Sequence, residues 1–122
     1  MTLPTDLAEL ARKIARLEDI EAIKRLKYQY FRCFDTADLA GLAEVFTDDV
    51  TLDVVGGVYR FTLHGKEAYL AMARDGAHAE MVTQHNGHHP EIDVLGESEA
   101  TGIWYLHDFV LAIDLSFREL QT

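Results

Sequence analysis

The sequence predicts an α+β fold, with helices packed on one face of a bent antiparallel sheet. Residues 7–31 repeat apolar side chains every three or four positions, which is the pattern of an amphipathic helix. Residues 81–115 instead contain two long stretches of strand-forming residues, joined by the turn sequence GESE. Helices followed by long strands indicate an α+β arrangement. Gly87 and Pro90 inside the first long strand predict a bulge or an unpaired edge, where the sheet curls around a pocket.

Helices are expected in three regions of the chain. The first region begins with Thr5 as its N-cap, and a small break at Asp19 divides it into two helices. The second region covers residues 35–46, and the third covers residues 65–76 and is closed by a glycine. The candidate caps for the second region are Asp35, Thr36 and Asp38.

Strands are expected in the remainder. Residues 48–65 read as two short strands joined at Gly56-Gly57, a dipeptide that tolerates the positive φ of a hairpin turn. Two long strands follow, at about residues 81–95 and 100–115. The second has apolar residues on both faces, so we expect helices to cover one face and a partner subunit to cover the other.

Composition excludes several classes of function. The chain has 122 residues and a net charge of −10, and only four of its eleven basic side chains lie in residues 33–122. Such an acidic body repels phosphate backbones, so no nucleic-acid partner is expected. No apolar run reaches the roughly 18 residues needed to cross a membrane, and the N-terminus lacks a signal-peptide pattern. With a single cysteine, Cys33, we expect a cytoplasmic protein. We also expect one domain over residues 1–122, and FRELQT reads as the start of a further strand.

Three histidines lie close together in the stretch TQHNGHHPEI. His85, His88 and His89, with Glu91 nearby, are residue types that bind metals. Strand geometry argues against a shared metal, because residues four apart are separated by roughly 13 Å and His88 points to the opposite face. The alternatives are ordinary strand histidines, or one catalytic base whose tautomer a carboxylate fixes. The residues alone leave these two readings open.

Asp35 is the natural candidate for that carboxylate. It follows the aromatic cluster YQYFRCF at the end of the long helix, although it could equally cap the next helix. Tyr30 lies on the apolar side of the same helix and could be a core tyrosine or a hydrogen-bond donor. Trp104 likewise fits either the core or the wall of a ligand site.

Several motifs together resemble a known family. The segments DIEAIK, YFRC-x-D, H-x-GH-x-PEI and ATG-x-WYL are similar, in order and spacing, to the SnoaL-like branch of the nuclear transport factor 2-like superfamily. Within that branch the nearest likeness is to bacterial bile-acid 7α-dehydratases, with a more distant one to scytalone dehydratases. The resemblance covers about residues 1–115 and implies a cone-shaped, cystatin-like α+β barrel with its pocket between helices and sheet. Members of the family add one or two further strands, so the resemblance also implies that the last strand or strands are missing here, either because the sequence is truncated or because a partner completes the sheet.

The resemblance also implies a set of site residues. The tyrosine and aspartate of YFRC-x-D and the first histidine of H-x-GH correspond to Tyr30, Asp35 and His85, the expected catalytic set. The expected substrate pocket contains Phe34, Val54, His88 and Trp104. Three of these depart from the scytalone dehydratase pattern: two water-holding tyrosines fall on Phe34 and Val54, and a second histidine falls on Trp104. The pocket is therefore expected to be more apolar.

The implied function is that of a dehydratase without a cofactor or metal, which eliminates water from a hydroxylated polycyclic, steroid- or polyketide-like substrate. The alternatives are a double-bond isomerase of the ketosteroid isomerase type and a non-catalytic module for ligand binding or dimerisation. The apolar outer face of strand 100–115 predicts a homodimer or a higher homo-oligomer.

Overall fold

The computed structural model of the chain describes residues 6–78, 80–112 and 117–121. The described residues form three helices and five strands, and the strands make two antiparallel sheets, one of β1 and β2 and one of β3, β4 and β5 in that order. The predicted α+β fold is confirmed. The elements in chain order are α1 (Leu7–Asp35), α2 (Leu39–Val45), β1 (Thr51–Val55), β2 (Arg60–His64), α3 (Lys66–Gly76), β3 (Met81–Val94), β4 (Ala100–Ala112) and β5 (Phe117–Gln121).

Helix α1 is one continuous helix of 29 residues. Asp6 caps its start by accepting a hydrogen bond from the Glu9 backbone N–H at 2.6 Å. The sequence favoured Thr5 for this cap, and that residue lies outside the described part of the chain. The expected break at Asp19 is wrong, because residues 7–35 contain neither glycine nor proline and the helix propagates without interruption.

Helix α2 packs tightly against the end of α1. Asp38, one of the three candidate caps, caps α2 by accepting a hydrogen bond from the Gly41 backbone N–H at 2.9 Å. A Cβ atom at Gly41 would lie 2.5 Å from the Sγ atom of Cys33, so only glycine permits this approach. The buried cluster that joins the three helices consists of Cys33, Leu42, Tyr69, Leu70 and Ala73.

The β1–β2 hairpin has the predicted position but a different turn. The Gly56 backbone N–H donates to the Tyr59 carbonyl at 2.8 Å, and neither Gly56 nor Gly57 has a positive φ. Gly56 is needed for another reason, since a Cβ atom there would lie 2.3 Å from the Tyr59 ring. The positive φ of this region occurs at Gly65, where it is 92° at the start of α3.

Strands β3 and β4 pair along most of their length and bring His85 directly opposite Asp108. Their register shifts between His88 and Glu91, and His89 has a φ of 55°. The predicted irregularity in this strand is therefore confirmed. The expected continuation of β4 over residues 113–115 lies outside the described residues.

Gly87 has a different role from the one the sequence suggested. It pairs regularly with Leu106, so it lies before the bulge. A Cβ atom at Gly87 would lie 2.3 Å from the Phe31 ring. The missing side chain thus lets α1 close onto β3, which forms one wall of the site described below.

Candidate active site

Asp35 and His85 are in direct contact where the end of α1 meets β3. The Oδ1 atom of Asp35 lies 2.6 Å from Nδ1 of His85 and accepts a hydrogen bond from the Thr83 hydroxyl at 2.9 Å. Its Oδ2 atom accepts the backbone N–H of His85, also at 2.9 Å. Both side chains are largely buried. Three hydrogen bonds from one strand therefore fix the carboxylate in position.

This contact determines the chemistry that His85 can perform. A carboxylate only accepts hydrogen bonds, so the neutral imidazole carries its proton on Nδ1 and leaves a lone pair on Nε2. Nε2 is the nitrogen that can remove a proton from a ligand. An imidazolium formed in that step would remain paired with Asp35 through Nδ1.

Aromatic side chains of α1 surround the imidazole. Phe31 stacks on His85 with ring centroids 5.7 Å apart and planes 12° apart, and Phe34 meets it edge-on at 5.1 Å. The Tyr30 ring lies at 6.3 Å. These residues follow one another on α1 at helical spacing, so a single helix supplies both the carboxylate and the apolar surround.

Tyr30 and Tyr69 bring two phenols to the same region, with ring centroids 6.4 Å apart. Burial raises the pKa of Tyr30, so its hydroxyl stays protonated and can donate a hydrogen bond. Burial and the neighbouring Tyr30 raise the pKa of Tyr69 as well. The Tyr69 hydroxyl makes no hydrogen bond of ordinary geometry to any described residue, although Tyr30 is close enough to influence its pKa.

A cavity of about 740 Å³ adjoins these residues. Its walls contain Tyr30 and His85 and three of the four expected pocket residues, Phe34, Val54 and Trp104. The fourth expected pocket residue, His88, does not line this cavity. It is exposed, and its ring stacks on that of Tyr105 with centroids 6.0 Å apart, because it lies three positions after His85 and an odd offset along a strand turns a side chain to the other face.

The structure adds two charged residues that the sequence analysis missed. Asp108 is only 8% exposed, and its Oδ2 atom lies 3.9 Å from Nε2 of His85. A carboxylate inside the apolar run WYLHDFVLA was the available signal. Lys27 also lines the cavity, one helical turn before Tyr30 on α1. Its position on the apolar side of that helix was the corresponding signal.

His88 and His89 lie beside each other on the outer face, with ring centroids 5.0 Å apart. Across the described ranges, no three His, Cys, Asp or Glu side chains are arranged to hold a metal ion. In the same part of the chain, no helix is both long and apolar enough to cross a membrane.

Solved structures share this architecture. A protein from Novosphingobium aromaticivorans, provisionally named a scytalone dehydratase, superposes with a TM-score of 0.71 at 22% identity, over 80% of this chain. The match covers 64% of that protein, so the chain spans less than two thirds of its length. ActVI-ORFA from Streptomyces coelicolor has a TM-score of 0.60 at 18% identity, over 80% of this chain and 73% of its own.

The family assignment rests on a longer and more direct match. A second N. aromaticivorans protein, described as NTF2-like with a cystatin-like fold, is 26% identical over 95% of this chain and 73% of its own, with a TM-score of 0.69. A model of the SnoaL-like domain matches residues 15–117, which is most of the sequence. The chain therefore belongs to the SnoaL-like family of the nuclear transport factor 2-like superfamily.

Proposed function

We propose that the protein is a cofactor-free dehydratase that eliminates water from a hydroxylated polycyclic substrate. The observation that carries this proposal is the 2.6 Å contact between Asp35 and His85 beside a large cavity with aromatic walls. A volume of about 740 Å³ falls in the range of pockets that hold drug-sized ligands. A steroid- or polyketide-like ring system fits both the size and the apolar walls.

The proposed reaction uses three side chains. Nε2 of His85 removes a proton from a carbon next to the substrate carbonyl, and the electrons of that C–H bond form the new double bond. The bond from the neighbouring carbon to its hydroxyl oxygen breaks, and the proton held by His85 leaves with this oxygen as water. Asp35 holds the imidazole through Nδ1, while Tyr30 donates a hydrogen bond to the carbonyl oxygen as negative charge develops there.

Asp108 supports the charged intermediate in this scheme. Its carboxylate lies on the Nε2 side of the imidazole, opposite Asp35. A negative charge there attracts the positive charge that the imidazole carries between proton removal and water departure. Its 3.9 Å separation from Nε2 exceeds ordinary hydrogen-bond distance, so this nitrogen stays accessible to a substrate proton.

The test is a screen of steroid, bile-acid and polyketide alcohols for loss of one water molecule, monitored by mass spectrometry. We expect turnover with the wild type and its loss in His85→Gln and Asp35→Asn. A product of unchanged mass with a shifted double bond would identify an isomerase that uses the same base. Tight binding without turnover of any compound would instead indicate a ligand-binding module and refute the proposal.

We further propose that the protein is a cytoplasmic homodimer, or a higher homo-oligomer, assembled through the outer face of its three-stranded sheet. Support comes from exposed apolar side chains on that sheet, such as Tyr105, which is 69% exposed. The single free cysteine, Cys33, fits a reducing compartment. Light scattering at micromolar concentration tests the assembly, and a mass equal to one chain would contradict it.

A further inference from the structure

Lys27 occupies an unusual position for a lysine. Its Nζ atom lies 5.1, 5.3 and 5.4 Å from the ring centroids of Tyr30, Phe31 and Trp104, so three aromatic rings surround the ammonium group. These distances are within the range of cation–π attraction. The side chain lines both the 740 Å³ cavity and a neighbouring cavity of about 320 Å³. It therefore lies at the wall that the two cavities share.

The charge on Lys27 is desolvated without a matching anion. Burial lowers the pKa of its ammonium group, which means that the surroundings disfavour the charged form. No carboxylate in the described ranges lies within ion-pair distance of Nζ. Lys24, one turn earlier on the same helix, contrasts with it, since it pairs with Glu21 at 3.1 Å.

Trp104 carries a second hydrogen-bond donor that lacks an acceptor among the described residues. Its indole Nε1 atom is buried and has no hydrogen-bond partner among the residues that the structure describes. The ring also lines both cavities, and a Cβ atom at Gly102 would lie 2.4 Å from it. Glycine at this position thus permits the observed indole orientation. An indole N–H is a donor only, as is a lysine ammonium group.

We propose that Lys27 and Trp104 form a recognition subsite for an anionic oxygen group, a carboxylate or sulfonate, carried by an apolar polycyclic ligand. Both side chains line the cavity, and neither the ammonium group nor the indole N–H has an acceptor among the described residues, which makes them complementary to a group that only accepts hydrogen bonds. The net charge of −10 repels anions at long range, so a local cation is what makes an acidic ligand acceptable. This inference rests on the proposed function in one respect: the substrate of the proposed dehydration would itself be such an acid.

Two fluorescent probes that share one ring system test this subsite. Anilinonaphthalene sulfonate carries the anionic group, and phenylnaphthylamine has the same rings without it. For Lys27→Met we expect the dissociation constant of the sulfonate probe to rise about 10- to 100-fold, as for a lost charge-assisted contact, while that of the neutral probe changes less than about 2-fold. Trp104→Phe keeps a ring at the wall and should weaken only the sulfonate probe. Lys24→Met is the matched control and should alter neither constant.

Stability measurements separate recognition from packing. Methionine fills a similar volume without a charge, so we expect Lys27→Met to melt at the same temperature as the wild type or higher. A lower melting temperature together with equal weakening of both probes would mean that the lysine only supports the fold, and would overturn the proposal. Unchanged sulfonate binding in both variants would overturn it as well.

The same probes test the anion subsite independently of the proposed dehydration reaction. His85→Gln should keep the wild-type preference for the sulfonate probe over the neutral probe, because the dyad is not part of the subsite. Suppose that the protein prefers the sulfonate probe through Lys27 but dehydrates none of the screened alcohols. This result would uphold the subsite and refute only the dehydratase. If Lys27→Met changes neither the dehydration of neutral alcohols nor the binding of either probe, the dehydratase is upheld and the subsite is refuted.

Discussion

Asp35→Asn is the substitution that tests the site most sharply, because it preserves shape and changes only what the side chain can accept. The carboxylate accepts hydrogen bonds from His85 Nδ1, the His85 backbone N–H and the Thr83 hydroxyl. An asparagine amide has one accepting oxygen. If that oxygen takes the backbone N–H, its NH₂ group faces Nδ1, which must then become the acceptor. The proton moves to Nε2, and the base is lost.

The magnitude follows from these three contacts. Hydrogen bonds to a charged group contribute about 1.5–3 kcal/mol and neutral ones about 0.5–1.5 kcal/mol, so loss of the charge weakens each contact by roughly 1 kcal/mol. Part of this loss is recovered because the amide NH₂ group can donate to Nδ1 of His85 and to the Thr83 hydroxyl oxygen. We expect Asp35→Asn to lower the free energy of unfolding by about 1–3 kcal/mol, and to lower kcat by roughly 10²–10⁴-fold through the wrong tautomer.

The assay need not await a substrate. Proton–nitrogen correlation spectra of protein labelled at histidine, recorded at a pH where the imidazole is neutral, distinguish the two tautomers directly. We expect the proton of His85 on Nδ1 in the wild type and on Nε2 in Asp35→Asn. Asp38→Asn is the matched control, since asparagine caps a helix as well as aspartate does and His85 should keep its wild-type tautomer. The same tautomer in wild type and Asp35→Asn would refute the reasoning.

Three further predictions concern packing and ionisation. Gly87→Ala should cost about 1–3 kcal/mol of stability because its Cβ meets the Phe31 ring, while Gly57→Ala, in open space, should cost far less; equal midpoints in urea would contradict this. Because the pKa of Tyr69 is raised in the folded protein, the folded state keeps the phenol proton at a pH where the unfolded state loses it. This contribution to stability is therefore complete below about pH 10 and is lost as the pH rises further. Tyr69→Phe should flatten that fall in denaturant titrations, and an unchanged slope would contradict the assignment. Cys33 is 1% exposed and burial raises its thiol pKa, so Ellman's reagent should react only after unfolding; rapid labelling of the native protein would refute this.

Local sequence was sufficient where neighbouring residues decide the outcome. The helical periodicity of residues 7–31, a cap for α2 among the three candidates Asp35, Thr36 and Asp38, and the irregular strand near His89 all follow from nearby side chains and backbone preferences. The helix break predicted at Asp19 is absent, because a helix-compatible residue inside a long run of helix formers does not end a helix. Gly56 shows a different limit, since its requirement comes from a ring across the turn.

The site could be predicted only in part, because its contacts join residues distant in the chain. Asp35 and His85 were paired through resemblance to a family, and the structure brings them together across 50 positions. The apolar run around Asp108 marks this carboxylate as unusual, but only the strand register sets it opposite His85. No local pattern reports which residue a strand partner will face. Lys27 likewise acquires its aromatic surround from β4 as well as from its own helix.

Helix α1 supplies most of the proposed chemistry from one side, and this sets the geometry of a ligand. Lys27 and Asp35 are separated by eight residues, which is about 12 Å along a helix axis, with Tyr30 between them. Tyr30 and Phe31 lie close to both ends of this stretch: their ring centroids are 5.1 and 5.3 Å from Nζ of Lys27, and 6.3 and 5.7 Å from the His85 ring. A ligand that contacts both Lys27 and His85 would therefore lie against these two rings. Under the proposed function, they supply apolar surface to the ring system that joins the anionic group to the reacting carbon.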